Sequence, residues 1–209
     1  MLKSNKTKKR IIENSTILFY ENGYTSTSTK SIAKKSNISE ATIFKYFKTK
    51  KNLLIETILF FLERFGNDII VKPLDKIIYE NENTSFEIIL KKIILNRIEL
   101  FDKYSKEFTI ILNESQYHTE IKRIYKEKIM PNIKNYINIL FDIGVKKNVF
   151  DKNDNAIIIF RSFISSIFFY ILNNNFFPQI DTNLSQEDEI DILIDNFLNG
   201  VKKDKWFYE

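Results

Sequence analysis

In the run "EATIFKYF", residues 40–47, Ala41, Thr42, Lys45 and Tyr46 fall on one side of a short helix, and Lys48, Lys50 and Lys51 follow at once. Such a face can read a nucleic acid. The DNA major groove admits one helix, and small residues such as Ala41 let that helix approach the base edges. Ala41 and the Thr42 methyl can meet a thymine methyl, Lys45 can donate to guanine O6 and N7, and Tyr46 can donate to a phosphate. Lys48, Lys50 and Lys51 add attraction that is independent of sequence. The same residues also suit a surface helix with solvated lysines, so the face takes its meaning from the elements around it.

Other chemistry is poorly supplied. There is no cysteine, which excludes disulfides, thiolate catalysis and cysteine-ligated metals. His118 is the lone histidine, and no glycine-rich phosphate loop or paired-carboxylate motif is present. An enzyme is not expected, and neither a cofactor nor a metal.

Helical periodicity runs through nearly the whole chain, without an alternating strand of useful length. The expected fold class is all-α with about nine helices, at 6–22, 29–36, 40–47, 50–68, 85–104, 106–116, 119–146, 154–174 and 186–201. Pro131 should kink the seventh. Ile11, Ile12, Ser15, Leu18 and Phe19 mark the buried face of the first helix, and Gly23 suits a left-handed turn at its end. Ser28 or Thr29 can cap the second helix and Ser39 the third. Between them Asn37 tolerates a positive φ. In the third helix Ile43 and Phe47 face the core, with Phe44 beside them. The starts at Thr29 and Ser39 also offer backbone N–H groups to phosphate oxygens.

The net charge of +5 is unevenly spread. Residues 1–51 carry 12 Lys and Arg against three acids, a net +9, while the other 158 residues carry −4. A basic module ahead of a mildly acidic one suits a polyanion partner for the first part alone. Chance clustering at a solvated terminus gives the same sums. The amino terminus is polar and basic, so no secretory signal is expected. The apolar run from Ala156 to Leu172 is shorter than the ~20 residues a spanning helix needs, and Arg161, Ser162, Ser165 and Ser166 interrupt it. It reads as a buried helix of a cytoplasmic protein with no membrane partner.

Spacing sharpens the reading of the amino-terminal part. Ala33, Asn37 and Ile43 stand four and then six residues apart. That is the arrangement of a helix-turn-helix: a small residue where the helices touch, a positive-φ turn, and an apolar residue closing the core. The stretch "STKSIAKKSNISEATIFKYFKTKKNLL", Ser28 to Leu54, resembles the DNA-binding domain of the TetR (tetracycline-repressor) family of bacterial transcription regulators. The resemblance is carried by Ser28-Thr29, Ile32-Ala33, Ile38-Ser39, Thr42-Ile43, Tyr46-Phe47, Lys50 and Leu53-Leu54. "LFYENGY", Leu18 to Tyr24, is similar to the end of the family's first helix. Two positions depart from the pattern: Asn37 stands at the usual turn glycine, and Phe44 at a tyrosine whose hydroxyl the family points at a phosphate.

The resemblance implies a DNA-binding domain at 1–54 and an effector-binding and dimerisation domain at 55–209. The implied DNA contacts are Ser28, Thr29, Lys30, Ser39, Ala41, Thr42, Phe44, Lys45, Tyr46, Lys48 and Lys50. The implied activity is regulation by a homodimeric repressor, released from a palindromic operator by a small apolar or amphipathic ligand. The helix at 154–174 is apolar nearly all round, so one face can pack on its own subunit and the other, with the helix at 186–201, on a partner. Tyr104, Phe108, Tyr117, His118, Phe141 and Phe160 are candidate pocket linings, each equally able to be ordinary core or surface. His118 is expected to be exposed, and the tail around Trp206 to pack back on the dimer or fray. An alternative is a helix-turn-helix protein without an effector, acting architecturally or through a protein partner.

Overall fold

The computed structural model describes residues 2–64, 71–177 and 182–200. The tail around Trp206 and the ends of the helices expected to reach 68 and 201 lie outside those residues. In chain order the helices are α1 (Leu2–Ser26), α2 (Thr29–Lys35), α3 (Glu40–Tyr46), α4 (Lys50–Arg64), α5 (Lys72–Glu80), α6 (Phe86–Lys103), α7 (Ser105–Ser115), α8 (Thr119–Ile124), α9 (Met130–Lys146), α10 (Ala156–Phe176) and α11 (Gln186–Gly200). No strand occurs among the described residues, and the fold is all-α.

Two local features differ from the sequence reading. The run expected at 119–146 is α8, a π-helical turn at Tyr125–Ile129, and α9 in succession. The widened turn directly precedes Pro131, which has no N–H to give and whose ring crowds the preceding turn. Helix α5 was not expected. Pro73 lies in its first turn, where the missing N–H is harmless, although along a sequence it reads as a breaker.

The described residues form two compact units, one of residues 2–64 with 103–130 and the other of 71–102 with 131–177 and 182–200. In the first, α1 packs against α4 and α7, α2 against α3, and α4 against α8. Its core holds Ile11, Ile12 and Phe19 of α1, Ile32 and Ala33 of α2, Ile43, Phe47, and Leu53, Leu54 and Ile58 of α4. Ser15 is fully buried on the same face as Ile11, and its hydroxyl donates back to the Ile11 carbonyl at 2.7 Å.

In the second unit, α9 ends in a Schellman turn. Asn148 takes φ 60°, with Val149 N bonded to Gly144 O and Asn148 N to Val145 O. The turn sends Phe150 back over Gly144, where a Cβ would run into the Phe150 ring. Phe150 thereby packs with Phe86, Phe141, Phe160 and Phe197 in an aromatic cluster.

Helix α10, capped by the Asn155 side chain, was expected to be buried. It buries only one stripe: Phe160, Phe163, Ile167 and Ile171. Ile157, Ile158, Ile164, Phe168 and Phe169 are exposed. By length and composition alone, Ala156–Asn175 could cross a membrane, yet its buried stripe is packed on protein, α11 among its neighbours.

Candidate nucleic-acid interface

The positions of α2 and α3 are fixed by their ends. Helix α1 is interrupted at Gly23, whose φ of 75° with ψ of 158° lies in a region open essentially to glycine alone. This is an extended conformation, where a left-handed turn was expected. Thr27, buried beneath the break, donates its hydroxyl to the Gly23 and Leu18 carbonyls at 2.8 and 2.9 Å. Ser28 then caps α2, its Oγ accepting from Ser31 N at 3.0 Å.

In the turn, Asn37 has φ 51°, and Ile38 N bonds to Ala33 O at 3.1 Å. Asn14 on α1 donates to the hydroxyl of the buried Ser36 at 3.2 Å, tying the turn to the first helix. Ser39 caps α3 by accepting from Thr42 N at 3.2 Å. The positive φ and both serine caps follow from residue type, as the sequence reading held.

Phase divides α3 as the sequence pattern requires at most positions. Ile43 and Phe47 are each 1% exposed, while Ala41 and Lys45 are exposed and Thr42 and Tyr46 half-buried. Ile38 is half-buried. Phe44 departs from its expected place beside the core, being 45% exposed. A seven-residue helix needs only one residue per turn to anchor it, and Ile43 and Phe47 fill that role. Ser28, Lys30, Ser39 and Lys48 are exposed, and Thr29 and Lys50 half-buried. Lys34 and Lys35 end α2 as further exposed cations. A solvent-facing surface of small, hydroxylic and basic residues thus overlies a buried apolar pair.

Three relationships were missed from the sequence. Thr29 donates its hydroxyl to Glu40 Oε1 at 2.5 Å, so the one acid of α3 is held at the start of α2. Thr49 caps α4, accepting from Asn52 N at 3.0 Å. Lys50 Nζ donates to the Thr25 carbonyl at 3.0 Å and lies over the Tyr24 ring, and burial lowers its pKa. Tyr24 in turn meets the edge of His118, and burial, with the nearby Glu114 carboxylate, raises the Tyr24 pKa. The Thr29 and Lys50 contacts join separate segments and left no sequence signal, whereas the Thr49 cap is local and readable as a hydroxyl three residues before Asn52.

The candidate pocket residues fall in separate groups. In the first unit Tyr104 and Phe108 pack on Phe61 at 5.6 and 5.8 Å, and Tyr117 is 78% exposed. His118, expected to be exposed, has only 14% of its side chain accessible, because Tyr24 and Glu114 cover it. In the second unit Phe141 stacks on Phe150 at 5.6 Å, and Phe160 meets Phe150 edge-on at 5.9 Å.

Comparison with known proteins agrees with this geometry. Residues 11–57 match the family model of the bacterial regulatory proteins, tetR family. The uncharacterized HTH-type transcriptional regulator YvkB of Bacillus subtilis strain 168 is 50% identical over 48 residues, which is 23% of this chain and 25% of that protein. This chain therefore matches about a quarter of that relative's length. Among solved structures, the TetR family transcriptional regulator PfmR from Thermus thermophilus superposes with a TM-score of 0.65 at 21% identity, over 93% of this chain and all of that one. The ketosteroid transcriptional regulator KstR2 of Mycobacterium tuberculosis gives 0.60 at 15% identity, over 94% and 95% of the two chains. The amino-terminal helices are a TetR-type DNA-binding domain, and the whole chain has the fold of these regulators.

Proposed function

We propose that this TetR-family chain is a homodimeric, sequence-specific repressor of transcription in the cytoplasm, released from a palindromic operator by a small apolar or amphipathic ligand. The observation that carries the reading is the exposed face of α3, where Ala41, Thr42, Phe44 and Lys45 stand over the buried Ile43 and Phe47. Residues 1–54 read DNA in this proposal, and residues 55–209 supply the dimer contact and the effector site. Thr42 and Lys45 meet base edges, while Ser28, Lys30, Ser39, Tyr46, Lys48 and Lys50 attend to the phosphates. Thr29, bonded to Glu40, acts there through its backbone N–H.

The exposed apolar face of α10 supports a two-fold partner. Its serines are small, and Ser162 and Ser166 already donate to carbonyls of their own helix, so a second helix can approach them without stranding a hydroxyl. A two-fold axis places two reading helices in successive major grooves about 34 Å apart. Effector binding then shifts the population toward a state whose reading heads no longer match that spacing.

The direct test is a gel-shift assay on the DNA upstream of its own gene, with sedimentation of the free protein. Binding no tighter than to random DNA at moderate salt would sink the reading. The effector-free alternative, in which a protein partner takes the ligand's place, is favoured if a screen of hydrophobic ligands never weakens specific binding.

A further inference from the structure

Arg161 is the sole charged residue of α10. Its helical neighbours Ile157, Ile158, Ile164, Ser165 and Phe168 are all exposed, so the guanidinium stands inside the open apolar face. Helix α11 has the opposite character, with five acids and no cation. Lys91 of α6 holds Glu187 and Asp191, the Ser185 hydroxyl donates to Asp188, and that of Thr182 donates to Glu189. Asp195 is exposed, and among the described residues neither its carboxylate nor the Arg161 guanidinium has an ionic partner. One cation and one anion of this helix pair are left over.

The two cannot satisfy each other within one subunit. Phe163 packs on Phe197 at 4.8 Å and the Tyr170 hydroxyl lies beside Glu189, so these residues mark the flank of α10 that meets α11. Tyr170 follows Arg161 by nine residues, about two and a half turns, which turns Arg161 to the opposite flank. Asp195 lies one turn beyond Asp191, on the flank of α11 that faces α6 and not α10. The charges therefore occupy the two outer edges of the α10–α11 layer. They stand at a similar height, because Phe160 and Phe163, on either side of Arg161, both pack on Phe197, two residues past Asp195.

A two-fold axis running along the helices, in the plane of the open face, exchanges the two edges and preserves height. It lays α10 of one copy on α11 of the other and brings Arg161 of each copy to Asp195 of the other, since an isologous contact forms both pairs at once. We propose that Arg161 and Asp195 make reciprocal ion pairs between two copies of this chain, which fix the register and the choice of partner on this face. This rests on the dimeric reading of the function and names the contacts that select a second copy. Apolar surface is non-directional and by itself accepts other registers and other chains. A slide of one turn, about 5.4 Å, separates both pairs. A partner without the acid leaves the guanidinium unpaired against hydrocarbon.

The test is sedimentation of the full chain as wild type, as Arg161→Asp and as Asp195→Arg, alone and in equimolar mixture. Both positions are exposed, so helicity by circular dichroism should not change. Each variant alone turns both pairs into like-charge contacts and should raise the dimer dissociation constant by about tenfold or more. The mixture should regain wild-type affinity, because both contacts are rebuilt with the charges exchanged. Arg161→Gln deletes the charge without adding repulsion, so it should weaken the dimer less and remove most of the salt dependence of dimerisation. Single reversals that associate like the wild type overturn the pair, and so does a mixture no tighter than its components. Wild-type salt dependence in Arg161→Gln overturns it without recourse to the reversals. A wild type that stays monomeric overturns instead the dimeric reading on which the pair rests.

Discussion

The ammonium of Lys50 stands 4.4 Å from the centroid of the Tyr24 ring, where the first turn of α4 meets the last turn of α1. A lysine in that position, with a second bond to the Thr25 carbonyl, does two jobs. It pins the segment after Gly23 to α4 and, in the proposed function, also offers charge to a DNA backbone. Lys48 is exposed nearby and contributes charge alone.

The two lysines should therefore separate on mutation. Lys50→Ala and Lys48→Ala should each weaken binding to all DNA sequences and lower the salt slope by about one. Only Lys50→Ala should also lower the melting temperature, by about 2–4 °C for the ~1 kcal/mol that a cation–π contact of this kind supplies. Salt-dependent gel-shift titrations with melting curves measure both effects. Equal melting temperatures for the two variants would show that the Tyr24 contact contributes nothing to stability.

Phe44 is large, apolar and exposed on α3, where its relatives are expected to carry a tyrosine. Phe44→Tyr adds one hydroxyl without disturbing the buried Ile43 and Phe47. If a phosphate lies there, affinity for operator DNA should rise by roughly 0.5–1.5 kcal/mol, and stability should not change. Ile43→Ala, on the buried side of the same short helix, should instead destabilise the protein by about 2–5 kcal/mol. A Phe44→Tyr variant with unchanged affinity at several salt concentrations would place position 44 away from the phosphates.

Helix α10 offers a test of dimerisation that spares the core. Ile164 and Phe168 are 40% and 47% exposed, whereas Phe160, Phe163 and Ile167 between and behind them are buried. Ile164→Asp with Phe168→Asp should leave the fold intact and turn a dimer into a monomer at low micromolar concentration in sedimentation. Operator affinity should then fall at least tenfold, because each half-site is bound alone. A pair of aspartates that sediments like the wild type would move the interface elsewhere.

What the sequence makes legible follows a physical division. Caps and turns are decided by a residue and its immediate neighbours, so Ser28, Ser39 and Asn37 were read correctly from residue type and position. Helix phase decides burial where a helix has a packed side, and Ile43 and Phe47 follow it. Contacts between distant segments escape, because nothing local encodes them: Glu40 finds Thr29, Lys50 finds Tyr24, and His118 is covered by Tyr24 and Glu114. Phase also fails on α10, whose sequence is apolar on faces that this chain alone leaves open.

Glu107 of α7 illustrates a cost that packing imposes and pH can relieve. It lines a small space with Thr16, Thr57, Ile58, Phe61, Ile110 and Ile111, and burial there raises its carboxyl pKa, only partly offset by its backbone bond and Lys106. Because the folded-state pKa lies above the unfolded one, the folded protein binds the proton more readily, and stability falls as pH rises through the interval between them. Above the raised pKa the full penalty is present. Glu107→Gln removes the charge and keeps the shape, so it should raise the melting temperature by about 1–3 °C at pH 7–8 and have no such benefit at pH 4. Glu107 is only partly buried, which keeps the effect modest. Melting curves of the wild type and Glu107→Gln between pH 4 and 8 check it, and a difference independent of pH would assign the change to packing and not to ionisation.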